Sequence, residues 1–233
     1  MRWEDKIAKY HDYFMQSENY AKDLAFIEYV IEKYALNIKK VLEIGCRTGE
    51  FVNSLKKKGY DVVGVDSSKG MINQAIKKYP RLKFIAKKMT KIGFEEKFDM
   101  IVCMRGAIHD LKSKRKIVKA FKKFNEHLRG NGVLILDVPH AEELFDTDKA
   151  DVQNFDVGDI EGSIIKEYEE KNGKILFSYN VSIKDKEKII RLVKTKKAPL
   201  LSIAEWKKLL RKTGFKPVVE YNDGNEVLVG FKI

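Results

Sequence analysis

Only two cysteines, Cys46 and Cys103, occur in the 233 residues. That is too few for a disulfide framework, and neither has the CxxC spacing or histidine partner of a metal site or a thiol nucleophile. No run of about eighteen apolar residues is present, so no membrane-crossing helix is expected, and the amino end lacks the basic-then-apolar order of a secretory signal. Internal repeats and low-complexity linkers are absent as well. Together these absences predict a soluble protein of a reducing cytoplasm, folded as a single domain over residues 1–233. What is present supports that reading: 44% of residues are hydrophobic and 34% charged, enough apolar material for a packed core and too periodic for disorder. Lys and Arg outnumber Asp and Glu by 46 to 34, a balance that permits nucleic acid, anionic membrane or acidic metabolites as partners without selecting one.

The apolar spacing alternates between two periods. Leu24, Ile27, Val30 and Ile31 recur at helical spacing within Tyr20–Tyr34, and residues 1–35 as a whole read as a helical cover. Val41–Ile44 is a short buried run closed by Gly45. A helix over Thr48–Lys58, a strand at Val62–Val65, a helix over Lys69–Tyr79, strands at Leu82–Ile85 and Met100–Met104, a helix over Lys114–Leu128 and a strand at Val133–Val138 follow. Strands alternating with helices predict an α/β fold with a doubly wound, largely parallel sheet. After Pro139 the texture changes. Residues 146–159 read as acidic and irregular, and Ile160–Val193 alternates apolar with polar residues around Asn172-Gly173 and Asp185-Lys186, as antiparallel strands do. A helix over Ile203–Lys212 ends at Gly214, and strands at Val218–Tyr221 and Val227–Ile233 flank the hairpin signal Asn222-Asp223-Gly224-Asn225. Residues 146–200 are therefore expected to form an inserted β lid.

The segment Glu43-Ile44-Gly45-Cys46-Arg47-Thr48-Gly49 joins a strand end to a helix start through a glycine-bearing turn, a ligand cradle. A dinucleotide fingerprint would need glycine at Arg47 and Glu50, so nicotinamide binding is disfavoured. Asp66 closes the next strand about twenty residues after Gly45, a spacing that suits ribose hydroxyls.

Glu43-x-Gly45-x-x-x-Gly49 followed by Val63-Gly64-Val65-Asp66-Ser67-Ser68 resembles the first two motifs of the class I S-adenosylmethionine-dependent methyltransferases. Phe98–Met104 is similar to the family's fourth-strand motif, and Leu128–Ile135 to its helix-turn-strand before the fifth strand. The resemblance covers about Tyr20 to Pro139 and implies a Rossmann-like seven-stranded sheet with an antiparallel last strand. It further implies S-adenosyl-L-methionine as cofactor, with Gly45, Cys46, Arg47 and Gly49 around the methionine portion, Glu43 toward the positively charged ligand, and Asp66 on the ribose. Ser67 or Met71 would border the adenine, and Cys103 with Met104 would lie beneath the sulfonium. Arg47 departs from the family's middle glycine, and Ala86-Lys87-Lys88-Met89 replaces the usual aspartate that accepts from adenine; lysine has no acceptor, which leaves backbone groups near Lys88 and Met89 for that role. The β insertion and the helix Ile203–Lys212 resemble the small-molecule branch of sugar-amine and glycine N-methyltransferases. In that branch an early tyrosine closes over the cofactor, with Tyr10, Tyr13 and Tyr20 as candidates, and a histidine after the fourth strand faces the acceptor, here His109. An imidazole with a pKa near ~6.5 suits a general base.

Plainer roles compete at several positions. His109 also reads as a loop histidine capping a helix, the tyrosines as staples for the amino end, and the cysteines as small core residues. Lys116, Lys119, Lys122 and Lys123 form a solvated helix face without the interleaved aromatics of a nucleic-acid groove. The expected activity is methyl transfer to a small molecule, an amine foremost. RNA or protein methylation and non-catalytic binding of the cofactor stand as alternatives. No metal is expected, and the sequence leaves the oligomeric state open.

Overall fold

In the computed structural model, residues 2–15, 20–138 and 151–233 are described. The amino end forms α1 (Trp3–Ile7), a 3₁₀ turn and α2 (His11–Phe14); the amphipathic α3 (Tyr20–Lys33) follows. Then β1 (Lys40–Ile44), α4 (Glu50–Lys57), β2 (Asp61–Asp66), α5 (Lys69–Lys78), β3 (Lys83–Ala86), β4 (Phe98–Cys103), α6 (Lys114–His127) and β5 (Leu128–Asp137) alternate as their apolar periods predict. The helix expected from Thr48 begins at Glu50. β5 starts five residues before Val133, pairing Leu128 with Phe98 across a register shift before the regular ladder begins.

After residue 150 come β6 (Asp151–Val157), β7 (Ile160–Glu170), β8 (Lys174–Asp185) and β9 (Lys188–Pro199), then α7 (Ile203–Arg211), β10 (Phe215–Asn222) and β11 (Asn225–Lys232). The stretch 146–159 expected to be irregular thus contains a strand from Asp151; residues 146–150 lie outside those described. Its polar residues hide the period, and the reason it is a strand is tertiary. All seven of its residues pair with β7, and Phe155 is buried against Tyr13 and Phe14.

The main sheet runs β10-β11-β5-β4-β1-β2-β3, with β11 antiparallel to both neighbours and the inner strands parallel. Successive residues on each central strand face opposite layers. Leu42, Ile44 and Ile101 pack with Phe121, Phe124 and Trp206 on one side, while Val41, Met100 and Val102 pack with Ile27, Phe51 and Val52 on the other. β6 to β9 make a separate four-stranded meander, order β6-β7-β8-β9. Its turns use left-handed residues where the sequence supplies them, Asn172 and Gly173 among them. The inner face of this meander buries Ile164, Val181 and Ile183 with Ile7, Tyr10 and Phe14, so the amino-terminal helices are packed between the second sheet and Met71 of α5.

Candidate functional site

A cavity of about 640 Å³ opens beyond the carboxyl ends of β1, β2, β4 and β5, between the main sheet, the amino-terminal helices and the meander. Ligands of open α/β sheets gather at such strand ends. The turn after β1 is built on three left-handed residues, Gly45 (φ 83°), Arg47 (φ 50°) and Gly49 (φ 87°). A Cβ at Gly45 would lie 2.5 Å from that of Ala107, and one at Gly49 2.6 Å from the ring of Phe84, so both glycines are required by packing as well as by φ. Arg47 keeps a glycine-type backbone without being glycine, a conformation that costs about 1–2 kcal/mol. Its N–H donates to Asp66 at 3.1 Å, and its guanidinium reaches Met15 Sδ at 3.2 Å and the Arg105 carbonyl at 3.0 Å.

Asp66 ends β2 in the cavity wall. Its carboxylate accepts from the N–H groups of Arg47 and of Ser68, the latter at 2.7 Å. A carboxylate has about four acceptor positions, so capacity for a ligand's hydroxyls remains. Burial pushes its carboxyl above the usual range, with the two N–H groups opposing. Ser67 and Met71 line the same wall, as does Met104 at the end of β4.

Of the residues singled out from the sequence, Gly45, Arg47, Asp66, Ser67, Met71, Met104 and His109 line the cavity. Glu43, Cys46 and Cys103 are buried in the strands and turn beneath it, and burial holds both thiols protonated. Gly49 lies behind the turn against Phe84 and Ala75. Lys88 is exposed and Met89 packs on the core, both away from the cavity. Tyr13 stacks on Phe155 at 5.2 Å, Tyr20 on Phe51 at 6.0 Å beneath the Arg105 guanidinium, and the Tyr10 hydroxyl donates to Asp185. Each tyrosine thus makes a contact that ties the amino-terminal segments to the rest of the fold.

His109 sits in a 3₁₀ turn, Ala107–Asp110, introduced by left-handed Gly106. Its ring stacks on Phe177 of β8 at 5.3 Å, and its Nε2 is buried with no hydrogen-bond partner. Burial, reinforced by the charge of Lys196, pushes the imidazole down to about 3. It is therefore neutral at physiological pH.

Several cavity residues went unread in the sequence. Asp137, ending β5 as Asp66 ends β2, accepts from Gly106 N–H at 3.1 Å, and burial pushes its carboxyl up to about 6. The signal was available, an acid at a strand's carboxyl end. Lys166, Tyr168, Phe177, Tyr179, Lys194 and Lys196 come from the meander; they alternate with outward residues at period two. Among the described residues no three His, Cys, Asp or Glu side chains are grouped to hold a metal, and no helix is long and apolar enough to cross a membrane.

Comparison with known proteins gives a consistent picture. Residues 41–132 match a family model described as a methyltransferase domain. A putative methyltransferase of Bacillus subtilis, YqeM, is 31% identical over 103 residues, 42% of each chain; this chain's matches span about half the length of the curated relatives it resembles. The structure of the sugar N-methyltransferase KedS8 from Streptoalloteichus superposes with a TM-score of 0.85 at 17% identity, covering 94% of this chain and 90% of that one. S-adenosylmethionine-bound CalS10, an amino pentose methyltransferase from Micromonospora echinaspora, superposes at 0.80 and 15% identity, covering 100% and 98%. At such identities the structural likeness establishes the fold.

Proposed function

We propose that this chain, whose residues 41–132 match a methyltransferase domain, is a class I S-adenosylmethionine-dependent methyltransferase that transfers a methyl group to a small molecule, with an amine as the accepting group. The observation that carries the reading is one continuous cavity that joins the Asp66 rim of the main sheet to the inner face of the meander. A donor and an acceptor can share it, and the meander of residues 151–199 acts as the acceptor's lid while the amino-terminal helices act as the cover. Its roof of aromatic and charged side chains suits a metabolite better than a duplex or a folded protein.

The donor's demands match the residues present. Asp66 retains acceptor capacity for vicinal hydroxyls at the end of β2, and Gly45 lets the turn close against Ala107 without obstructing the space above it. When bound, S-adenosylmethionine supplies an electrophilic methyl on a sulfonium and is left as S-adenosylhomocysteine. The remaining work is geometric, since holding two reactants in line is worth on the order of 7–11 kcal/mol. Neutral His109, clamped between its turn and Phe177, offers Nε2 to orient the acceptor's N–H. Asp137, with a proton affinity near neutrality, is the cavity carboxylate suited to take the proton that the methylated amine sheds.

Titration calorimetry with S-adenosylmethionine and S-adenosylhomocysteine tests the cofactor, and labelled-methyl transfer into metabolite, RNA and protein pools tests the acceptor class. Label confined to small molecules is expected. Absence of any cofactor heat overturns the enzyme reading, and label in RNA or protein overturns the small-molecule assignment.

A further inference from the structure

α6 and α7 cover the side of the main sheet opposite α4 and α5, and the charge of the molecule is concentrated there. Residues 112–126 and 203–216, which hold the two helices and their flanks, contain twelve of the 46 Lys and Arg but only two of the 34 Asp and Glu. The rest of the chain, with 34 basic against 32 acidic residues, is nearly neutral. The helices lie side by side and run the same way. Lys114 pairs with Glu205 at 2.6 Å near their starts, and Asn125 Nδ2 donates to the Gly214 carbonyl at 2.8 Å near their ends. Ile117, Phe121, Phe124, Trp206 and Leu210 turn to the core, so the amphipathic period leaves Lys and Arg as the outer surface of both. Exposed Lys87, Lys88 and Lys91 extend that surface at the 3₁₀ turn Met89–Lys91, which also packs against α6.

What this layer lacks narrows its partner. Among the described residues, the exposed large hydrophobic side chains, Val193 and Tyr221 among them, all lie elsewhere. A protein partner draws its affinity from aromatic and apolar anchors, an interfacial membrane helix needs an apolar face free of the core, and single-stranded nucleic acid needs rings on which to stack. The phosphates of a duplex need only ammonium and guanidinium groups, whose binding releases condensed counterions. Arg115, Lys119 and Lys122 step along α6 by about one turn, ~5 Å, and Lys208 and Arg211 do the same along α7. A duplex carries charge at steps at least as close. Because each helix is flanked by its neighbour, neither can enter the major groove of B-form DNA as a free-standing helix does. A-form RNA instead offers a wide, shallow minor groove edged by phosphates, which a broad basic layer can cover.

We propose that the α6–α7 layer is a docking surface for double-stranded RNA, held through its phosphates without base readout. None of the twelve basic residues lines the cavity, so the duplex is a platform for the chain and not its methyl acceptor. The docking surface is independent of what the cavity binds.

The test measures binding of the full chain to five probes: an RNA duplex of about twenty base pairs, longer than the ~16 that a duplex-binding domain spans, the DNA duplex of the same sequence, one strand of the RNA alone, polyglutamate, and vesicles of equal parts phosphatidylcholine and phosphatidylserine. At least tenfold tighter binding of the RNA duplex than of any other probe is expected, weakening steeply as salt rises. Lys119→Gln, Lys122→Gln, Lys208→Gln and Arg211→Gln combined should weaken RNA binding at least tenfold and flatten its salt dependence. Lys56→Gln, Lys57→Gln, Lys77→Gln and Lys188→Gln combined, an equal loss of charge away from the layer, should change it less than twofold. All eight side chains are exposed, so both variants should keep the parent's urea midpoint; if the first does not, Lys119→Gln and Arg211→Gln singly, each about threefold weaker for RNA, carry the same reading. No RNA binding, or equal weakening by the two combined variants, overturns the docking surface. Binding of DNA, the single strand, polyglutamate or the vesicles as tight as that of the RNA duplex overturns the assignment of its partner.

Discussion

At the scale of single residues, two buried groups of the cavity wall oppose each other in pH. Asp137's carboxyl is raised to about 6 and His109's imidazole lowered to about 3, both chiefly by burial. Between pH ~4 and 6 the folded chain keeps the Asp137 proton that an unfolded carboxyl has released. This group's contribution to stability therefore falls as pH rises, by up to ~3 kcal/mol across the window. His109 runs the other way: below ~6.5 an unfolded imidazole binds a proton that the folded one refuses, so stability falls as pH drops. Relative to the parent chain, urea midpoints of Asp137→Asn should gain with rising pH between 4 and 6, and those of His109→Gln should decline. Parallel curves for all three proteins would contradict both environments. Asp66 has a separate role at the rim; Asp66→Ala should weaken S-adenosylmethionine binding by roughly 1.5–3 kcal/mol, the value of hydrogen bonds to a charged group, as read by calorimetry. Unaltered affinity would remove its ribose assignment.

At the scale of elements, the join between α1 and α5 is the most specific contact outside the sheets. The Asp5 carboxylate accepts from Ser68 Oγ at 2.5 Å and from Gly70 N–H at 2.8 Å, at the positive start of α5. A Cβ on Gly70 would lie 2.6 Å from the Asp5 Cα, a backbone atom that cannot yield without moving the helix. Further along, Asp12 of α2 is bonded by Thr48 at 2.5 Å and by Lys78 at 2.6 Å. Gly70→Ala should therefore lift the amino-terminal helices, raising amide exchange over residues 3–14 at least tenfold, and Asp5→Ala should cost about 0.5–2 kcal/mol, a loss comparable to that of a helix cap. Exchange unchanged in both variants would disprove the join.

This join was not legible in the sequence, because its partners lie sixty residues apart and neither is unusual for its own segment. The parallel core was legible, since Val41–Ile44, Val62–Val65 and Met100–Met104 are apolar on both faces and bounded by turn residues. β6 was missed for the opposite reason: Asp151, Gln153, Asn154 and Asp156 dilute its pattern, and only pairing with β7 and burial of Phe155 make it a strand. The site divides similarly. Gly45 and Asp66 announce themselves by spacing along one crossover, whereas Asp137 and the meander lysines acquire meaning only when strands distant in sequence face one cavity. The ordinary imidazole pKa assumed for His109 belongs to a solvated ring, and its burial against Phe177 is a tertiary fact that the sequence does not display.

At the scale of the whole molecule, three layers share one cavity, so occupancy should be felt throughout. S-adenosylhomocysteine at a hundred times its dissociation constant should raise global stability by about 2.7 kcal/mol, with a matching rise in denaturant midpoint. A rise confined to local exchange at the rim would indicate that the layers unfold separately. The topology carries a further consequence for synthesis. The meander is assembled from hairpins between consecutive strands, so it can zip up from its own segment as it leaves the ribosome. The large sheet cannot: Val227–Phe231 must return to pair with residues 133–137, sliding between β10 and β5. Until that wedge arrives, a nascent or truncated chain displays the bare margin of β5, an open template for sticking to its neighbours.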